Sequence, residues 1–234
     1  QDFYIGLDDS ADDLLIGLGS TVGTTPIISV DENKDVNIPD GTLTISNTGN
    51  EKTLNLISTD ADASHGPYIR MFRNSSSAAD EDLVGRIDFA NTNDADEEEN
   101  YLMMYSRIED ASNGNESGKF YLDTMVNGTT RTRMYIKKDV LVINEDGIDS
   151  DFRVESQGNA NMIFVEASAD RLMFSKSTTA IGTVGMVYDS QQIFNTRSGN
   201  SPLAVNRLSN DGTLFACYQA GSEEGGITVS GSTV

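Results

Sequence analysis

"KFYLDTMVNGTTRTRMYI" (residues 119–136) sets two runs of β-forming residues on either side of Asn127-Gly128. Asn-Gly between alternating runs is the strongest short-range sign of a β-hairpin. A two-residue turn would put Phe120 opposite Tyr135 and Leu122 opposite Arg133, mixing apolar and polar side chains across the pair. A three-residue loop of Val126, Asn127 and Gly128, with Gly128 left-handed, sets Phe120 opposite Met134 and Leu122 opposite Thr132. On the other face Asp123 then meets Arg131 and Tyr121 meets Arg133. The second register separates dry from wet and is the one expected. A hairpin with one face of each kind belongs to an antiparallel sheet packed on another layer.

Working outward, "GPYIRMFRNS" (66–75), "DLVGRIDFAN" (82–91) and "NYLMMYSRIED" (100–110) have the same strand character, as does "TLNLI" (53–57). Five or six strands over 50–138 predict a β-sandwich of about ninety residues, an ordinary domain size. In "NYLMMYSRI", alternation puts Tyr101, Met103 and Tyr105 on one face and Leu102 and Met104 on the other. A strand apolar on both faces reads as sandwich core or as a contact between chains. Further strands are expected at "PIISV" (26–30), "TLTIS" (42–46) and "KDVLVIN" (138–144). The one stretch of helix-forming composition, "AADEDL" (78–83), is too short to stand alone.

The two ends of the chain echo each other. "FYIGLDDSADDLLIG" (3–17) and "NMIFVEASADRLMFS" (161–175) both read as strand, Ser-Ala-Asp turn, strand, and "DFYI" (2–5) and "DFRV" (151–154) precede them. One such hairpin cannot bury enough apolar surface to be stable in water. Repeated hairpins at both ends of a sandwich imply a string of small modules that need partners, and copies about an axis supply them.

The charge is −21, from 37 acidic and 16 basic residues. A chain this acidic repels nucleic-acid phosphates and anionic membrane surfaces, so neither is expected as a partner. No apolar run approaches the ~20 residues that cross a bilayer as a helix. The absence of Met at position 1 and of a signal-peptide pattern makes Gln1 read as an internal cut in a longer polypeptide. Cys217, the one cysteine, sits in the strand-like "TLFACYQA" and is expected as a small buried hydrophobe.

Catalytic and metal motifs are thin. Every Ser-His-Asp or Cys-His arrangement would have to use His65, in the Gly-Pro turn setting "ADASHGPY", which reads as a surface loop. Structural zinc wants four Cys or His ligands, and the chain has two such residues in all. Glycoside hydrolysis needs two carboxylates ~5–10 Å apart, for which the acidic loop "NTNDADEEEN" (91–100) or Asp60 with Asp62 are the candidates. An acid catalyst needs burial, these loops read as wet, and there is no Trp for sugar stacking, so an enzyme is not expected. Calcium suits the oxygens of Asn93, Asp94, Asp96 and Glu98 better, although the loop lacks the spacing of an EF-hand. No cofactor or metal site is assigned.

The phrases "LNLISTDADASHGPYIRMFRNSSSAADEDLVGRIDF", "SGKFYLDTMVNGTTRTRMYI" and "INEDGIDSDFRVESQGNANMIFVEASADRL" closely resemble tail-fibre proteins of tailed bacteriophages, notably marine ones. "NSPLAVNRLSNDGTLFACYQAGSEEGGITVSGSTV" is similar to the stretch that precedes the self-cleaving intramolecular chaperone of tail fibres and endosialidases. The likeness covers about residues 50–234. It lacks the chaperone's cleavage site and Ser nucleophile, and it lacks a recognisable N-terminal anchor. The resemblance implies an elongated, all-β, homotrimeric fibre on a virion, bound to tail or baseplate proteins and to a host cell-surface glycan or protein. The expected layout is a hairpin shaft module (1–48), a β-sandwich (49–138), a hairpin-repeat shaft module (139–198) and a C-terminal β module (199–234). Exposed loops at 74–82, 91–100 and 110–117 are the expected host contacts, with Asp94, Asp96, Glu97 and Glu98 as receptor-binding residues. A tailspike-like glycan depolymerase and a bacterial surface adhesin or appendage subunit are the alternatives.

Overall fold

The computed structural model describes residues 2–9, 12–39, 41–189 and 192–231. Strands make up 48 % of the chain, no α-helix occurs among the described residues, and every sheet is antiparallel, so the all-β expectation holds. The chain divides into two compact units, Gln1–Arg70 and Met71–Val234.

The first unit carries a sheet in chain order: β1 (Phe3–Asp8), β2 (Asp13–Leu18), β3 (Pro26–Val30) and β4 (Val36–Asn37). Its buried face is built on Tyr4 and Leu15. The Tyr4 ring lies over Gly17, where a Cβ would meet it at 2.3 Å, so only glycine lets the ring lie flat on β2. The Tyr4 hydroxyl accepts the Gly23 N–H at 3.3 Å, tying in the loop between β2 and β3.

In the second unit the central sheet is a meander of β5 (Leu83–Thr92), β6 (Glu98–Asp110), β7 (Ser117–Val126), β8 (Thr129–Lys137) and β9 (Val140–Ile143). It runs past the expected boundary at Lys138 because Val140–Ile143 pairs with β8. A second five-stranded meander follows: β10 (Phe152–Ser156), β11 (Asn159–Glu166), β12 (Arg171–Phe174), β13 (Gly185–Asp189) and β14 (Gln192–Thr196). Last comes the two-stranded pair β15 (Gly212–Gln219) and β16 (Ser222–Val229). Most residues of this pair are exposed, Cys217 on β15 among them, correcting the expected buried site.

The β7–β8 register differs from the expected three-residue loop. Asn127 and Gly128 both have positive φ, 50° and 75°, and Val126 faces Thr129, so the turn has two residues. A bulge between Leu122 and Asp123 then gives β8 one extra residue, Arg133. Beyond it Leu122 faces Met134 and Phe120 faces Ile136. The bulge restores the separation of dry from wet that an uninterrupted two-residue hairpin would have lost.

Three segments read as strands, 42–46, 53–57 and 66–75, fall outside the strands assigned among the described residues. Their apolar residues, Leu43, Ile57 and Tyr68 among them, are exposed. Alternation gives strand character, but a ladder needs backbone pairing in register: Arg73 lies against β5, its guanidinium donating to the Leu83 carbonyl at 3.1 Å, outside any assigned ladder.

The echoed hairpins match in geometry. Four residues separate Asp8 from Asp13 and Glu166 from Arg171, and the last of each four, Asp12 and Asp170, is left-handed at φ 55° and 53°. Asp is among the few residues that adopt this conformation readily. Three positions on, Leu15 and Met173 are both buried. Ser10 and Ala11 of the first echo lie outside the described residues.

Every larger sheet has its buried side chains on one face and an apolar row without a buried member on the other. In the β10–β14 sheet the cross-strand row Phe164–Met173–Val187–Phe194 is the supported one, with Met173 and Val187 at 0 % exposure. The opposite row, Phe152–Val165–Leu172–Tyr188–Ile193, crosses all five strands with four of its members exposed. In the central sheet the corresponding row is Ile87–Met104–Leu122–Met134–Ile143, none of it buried. In the first unit it is Ile5–Ile16–Ile28, with Ile5 77 % exposed.

Candidate functional site

The central sheet gathers polar and aromatic side chains on the face opposite its apolar row. Register alone aligns Arg86, Tyr105, Tyr121, Tyr135 and Val142 across five strands. The tyrosine rings stack, with centroids 4.8 Å apart for Tyr105–Tyr121 and 5.0 Å for Tyr121–Tyr135. Arg107 and Lys137 lie 5.8 Å from the outer rings of the stack, within cation–π range. The next row places Asp88, Met103, Asp123 and Thr132 side by side.

Asp123 is 6 % exposed, unusually low for a carboxylate. Its Oδ2 accepts the Tyr105 hydroxyl at 3.0 Å, and its buried Oδ1 has no partner. Burial and then the Asp123 hydrogen bond and charge push the Tyr105 phenol up to about 12, against a smaller opposing pull from Arg107. Burial also raises Tyr121. A cleft of about 190 Å³ opens beside Asp123 between Arg86, Tyr105, Arg107 and Thr130. None of this was foreseen from the sequence. The tyrosine spacing carries no signal until the strand register is known.

The expected host-contact loops separate to opposite ends of this sheet. Asp94, Asp96, Glu97 and Glu98 sit at the β5–β6 turn, where Asn93 organises the chain. Its Oδ1 accepts the N–H of Ala95 (2.9 Å) and of Glu97 (3.0 Å), and Asp96 is left-handed at φ 62°. The four acidic side chains are exposed. Among the described residues no group of three or more His, Cys, Asp or Glu gathers to hold a metal.

The other two loops meet at the far end. Asp80 Oδ1 accepts the Ala111 N–H (2.9 Å), and Glu81 N–H bonds the Ile108 carbonyl (2.9 Å). The Arg107 guanidinium donates to the Glu81 carbonyl (2.7 Å), and Lys119 is paired with the Glu81 carboxylate. That pairing lowers Glu81 and raises Lys119; the Lys119 side chain is mostly covered, but the Glu81 carboxylate is exposed, so solvent screens the pair and it fixes geometry more than it adds stability. Asp110 is lowered by bonds from the Ser112 N–H and hydroxyl, with help from Lys138. Between the two loops lies a cleft of about 400 Å³ lined by Ala78, Ile108, Ala111 and Glu116.

Other sequence candidates belong to the first unit. His65 is exposed, 6.2 Å from the Tyr68 ring. Asp60 and Asp62 serve turns, Asp60 accepting the Asp62 N–H (3.3 Å) and Asp62 the Ser64 N–H (2.7 Å). No family profile, curated protein or solved structure matches this chain.

Proposed function

We propose that this chain is a segment of a homotrimeric bacteriophage tail fibre, a structural virion protein without enzymatic activity that spaces and presents host-binding surfaces. One observation carries the trimer. The chain exposes 17977 Å², against roughly 10,300 Å² for a compact monomer of its 25.3 kDa and roughly 12,200 Å² for two separate compact bodies. Among the described residues five hydrophobic side chains are buried, while apolar residues along every sheet face water. Such a chain gains its missing interior from company. The strand-like segments 42–46 and 53–57, which fall outside the assigned sheets, support the same reading, as edges available to other copies.

The phage assignment rests on the phrase resemblance at 50–234, together with tandem small β modules in place of one enclosed core. In this reading the fibre joins tail or baseplate proteins at one end and touches a host cell-surface glycan or protein, with Asp94, Asp96, Glu97 and Glu98 among the contact residues. Weak contacts suffice, because several fibres on one particle raise effective concentration and hence avidity. Light scattering on the purified chain tests the assembly: a mass of three chains is expected, and a stable monomer overturns it. Antibodies against the chain are expected to decorate tail appendages in electron micrographs of the phage; label on a bacterial surface instead would transfer the protein to the adhesins.

A further inference from the structure

We infer that the uncharged cross-strand rows Ile5–Ile16–Ile28, Ile87–Met104–Leu122–Met134–Ile143 and Phe152–Val165–Leu172–Tyr188–Ile193 are the surfaces on which copies of this chain meet, and that the tyrosine face of the central sheet points outward. The inference rests on the trimeric reading and adds the face to it.

Three observations select these rows. The first is extent. Five strands ~4.8 Å apart make each five-residue row about 20 Å wide, a continuous apolar strip rather than the scattered single side chains that any soluble surface carries.

The second is charge. Each copy carries −21, so like copies repel wherever acidic surfaces meet. None of the three rows contains an ionisable group apart from the Tyr188 phenol. The opposite face of the central sheet carries Arg86, Asp88, Arg107, Lys119 and Asp123 instead.

The third is repetition. The same device recurs on three successive sheets, two of them carrying echoed hairpins with matching left-handed Asp turns. A foreign partner would need three matching faces in the same order along its own chain. A parallel copy has them automatically.

The experiment uses the full chain with Cys217→Ser, to which Leu122→Cys, Leu172→Cys or Asp88→Cys is added singly. Mass by light scattering, maleimide labelling rate and inter-chain cross-linking by a short bismaleimide are measured on each. Expected is a trimer in which thiols at 122 and 172 label at least tenfold more slowly than at 88 and cross-link between chains. A trimer whose thiols at 122 and 172 label as fast as at 88 overturns the face assignment and leaves the trimer standing. A monomer overturns both. If Leu122→Cys prevents assembly, the same three readings on Ile16→Cys decide the matter on an independent sheet.

Discussion

Asp123 and Tyr105 show how one buried contact sets the behaviour of two groups. Removing the Tyr105 hydroxyl, the one donor to this buried carboxylate among the described residues, leaves its desolvation uncompensated, so Tyr105→Phe is expected to destabilise the fold by about 1–3 kcal/mol in urea unfolding at neutral pH. Tyr105 also gives a pH signature. Its folded value, about 12, lies above the ordinary 10, so the folded state holds the proton more tightly. The stability it contributes is complete below pH 10 and is lost as pH rises through about 12. Phenolate absorbance should reveal a late-ionising tyrosine that disappears in Tyr105→Phe. Eight tyrosines titrating together near 10 in the folded protein would refute the buried pair. The partners were invisible in the sequence because Tyr105 and Asp123 lie on different strands, 18 positions apart, and only register makes them neighbours.

At the scale of the element, the β7–β8 hairpin was legible as a hairpin but not in its register. Asn-Gly specifies positive φ at two positions, and the structure uses both. What the pattern could not place was the bulge at Arg133, held by contacts from beyond the hairpin. The Arg133 carbonyl accepts the Asn144 N–H at 2.9 Å, and the adjacent Thr132 N–H donates to Asp146 at 3.1 Å. Gly128→Val forces a β-branched side chain into the left-handed region and should cost about 1–2 kcal/mol, whereas Asn127→Gly should change stability by a few tenths. Midpoints of urea unfolding compare the two directly, and equal effects would argue against the two-residue turn. The echoed turns were readable for a related reason: their four-residue length and their Asp in the left-handed position are local properties.

At the scale of the whole molecule, charge and burial oppose each other. Gathering copies of a −21 chain concentrates negative charge, and dissolved salt screens it over about 10 Å at 0.1 M. Raising NaCl from 10 mM to 0.3 M is therefore expected to raise the melting temperature of the assembly and to favour the assembled mass at low protein concentration. Salt that instead dissociates the copies would show that ion pairs, rather than apolar rows, hold them together.

The sequence by itself determined the class of backbone, the places of most turns and the amphipathic alternation of the strands, since each follows from neighbours a few residues apart. It also made 42–46, 53–57 and 66–75 look like strands, because alternation is visible whether or not an edge is available. Only the tertiary structure decided which strands have partners, which face of each sheet is bare and which side chains line up across strands. Those depend on register, and one bulge exchanges the two faces of everything beyond it. That is why the tyrosine stack, the buried Asp123 and the uncharged rows had to be found in three dimensions.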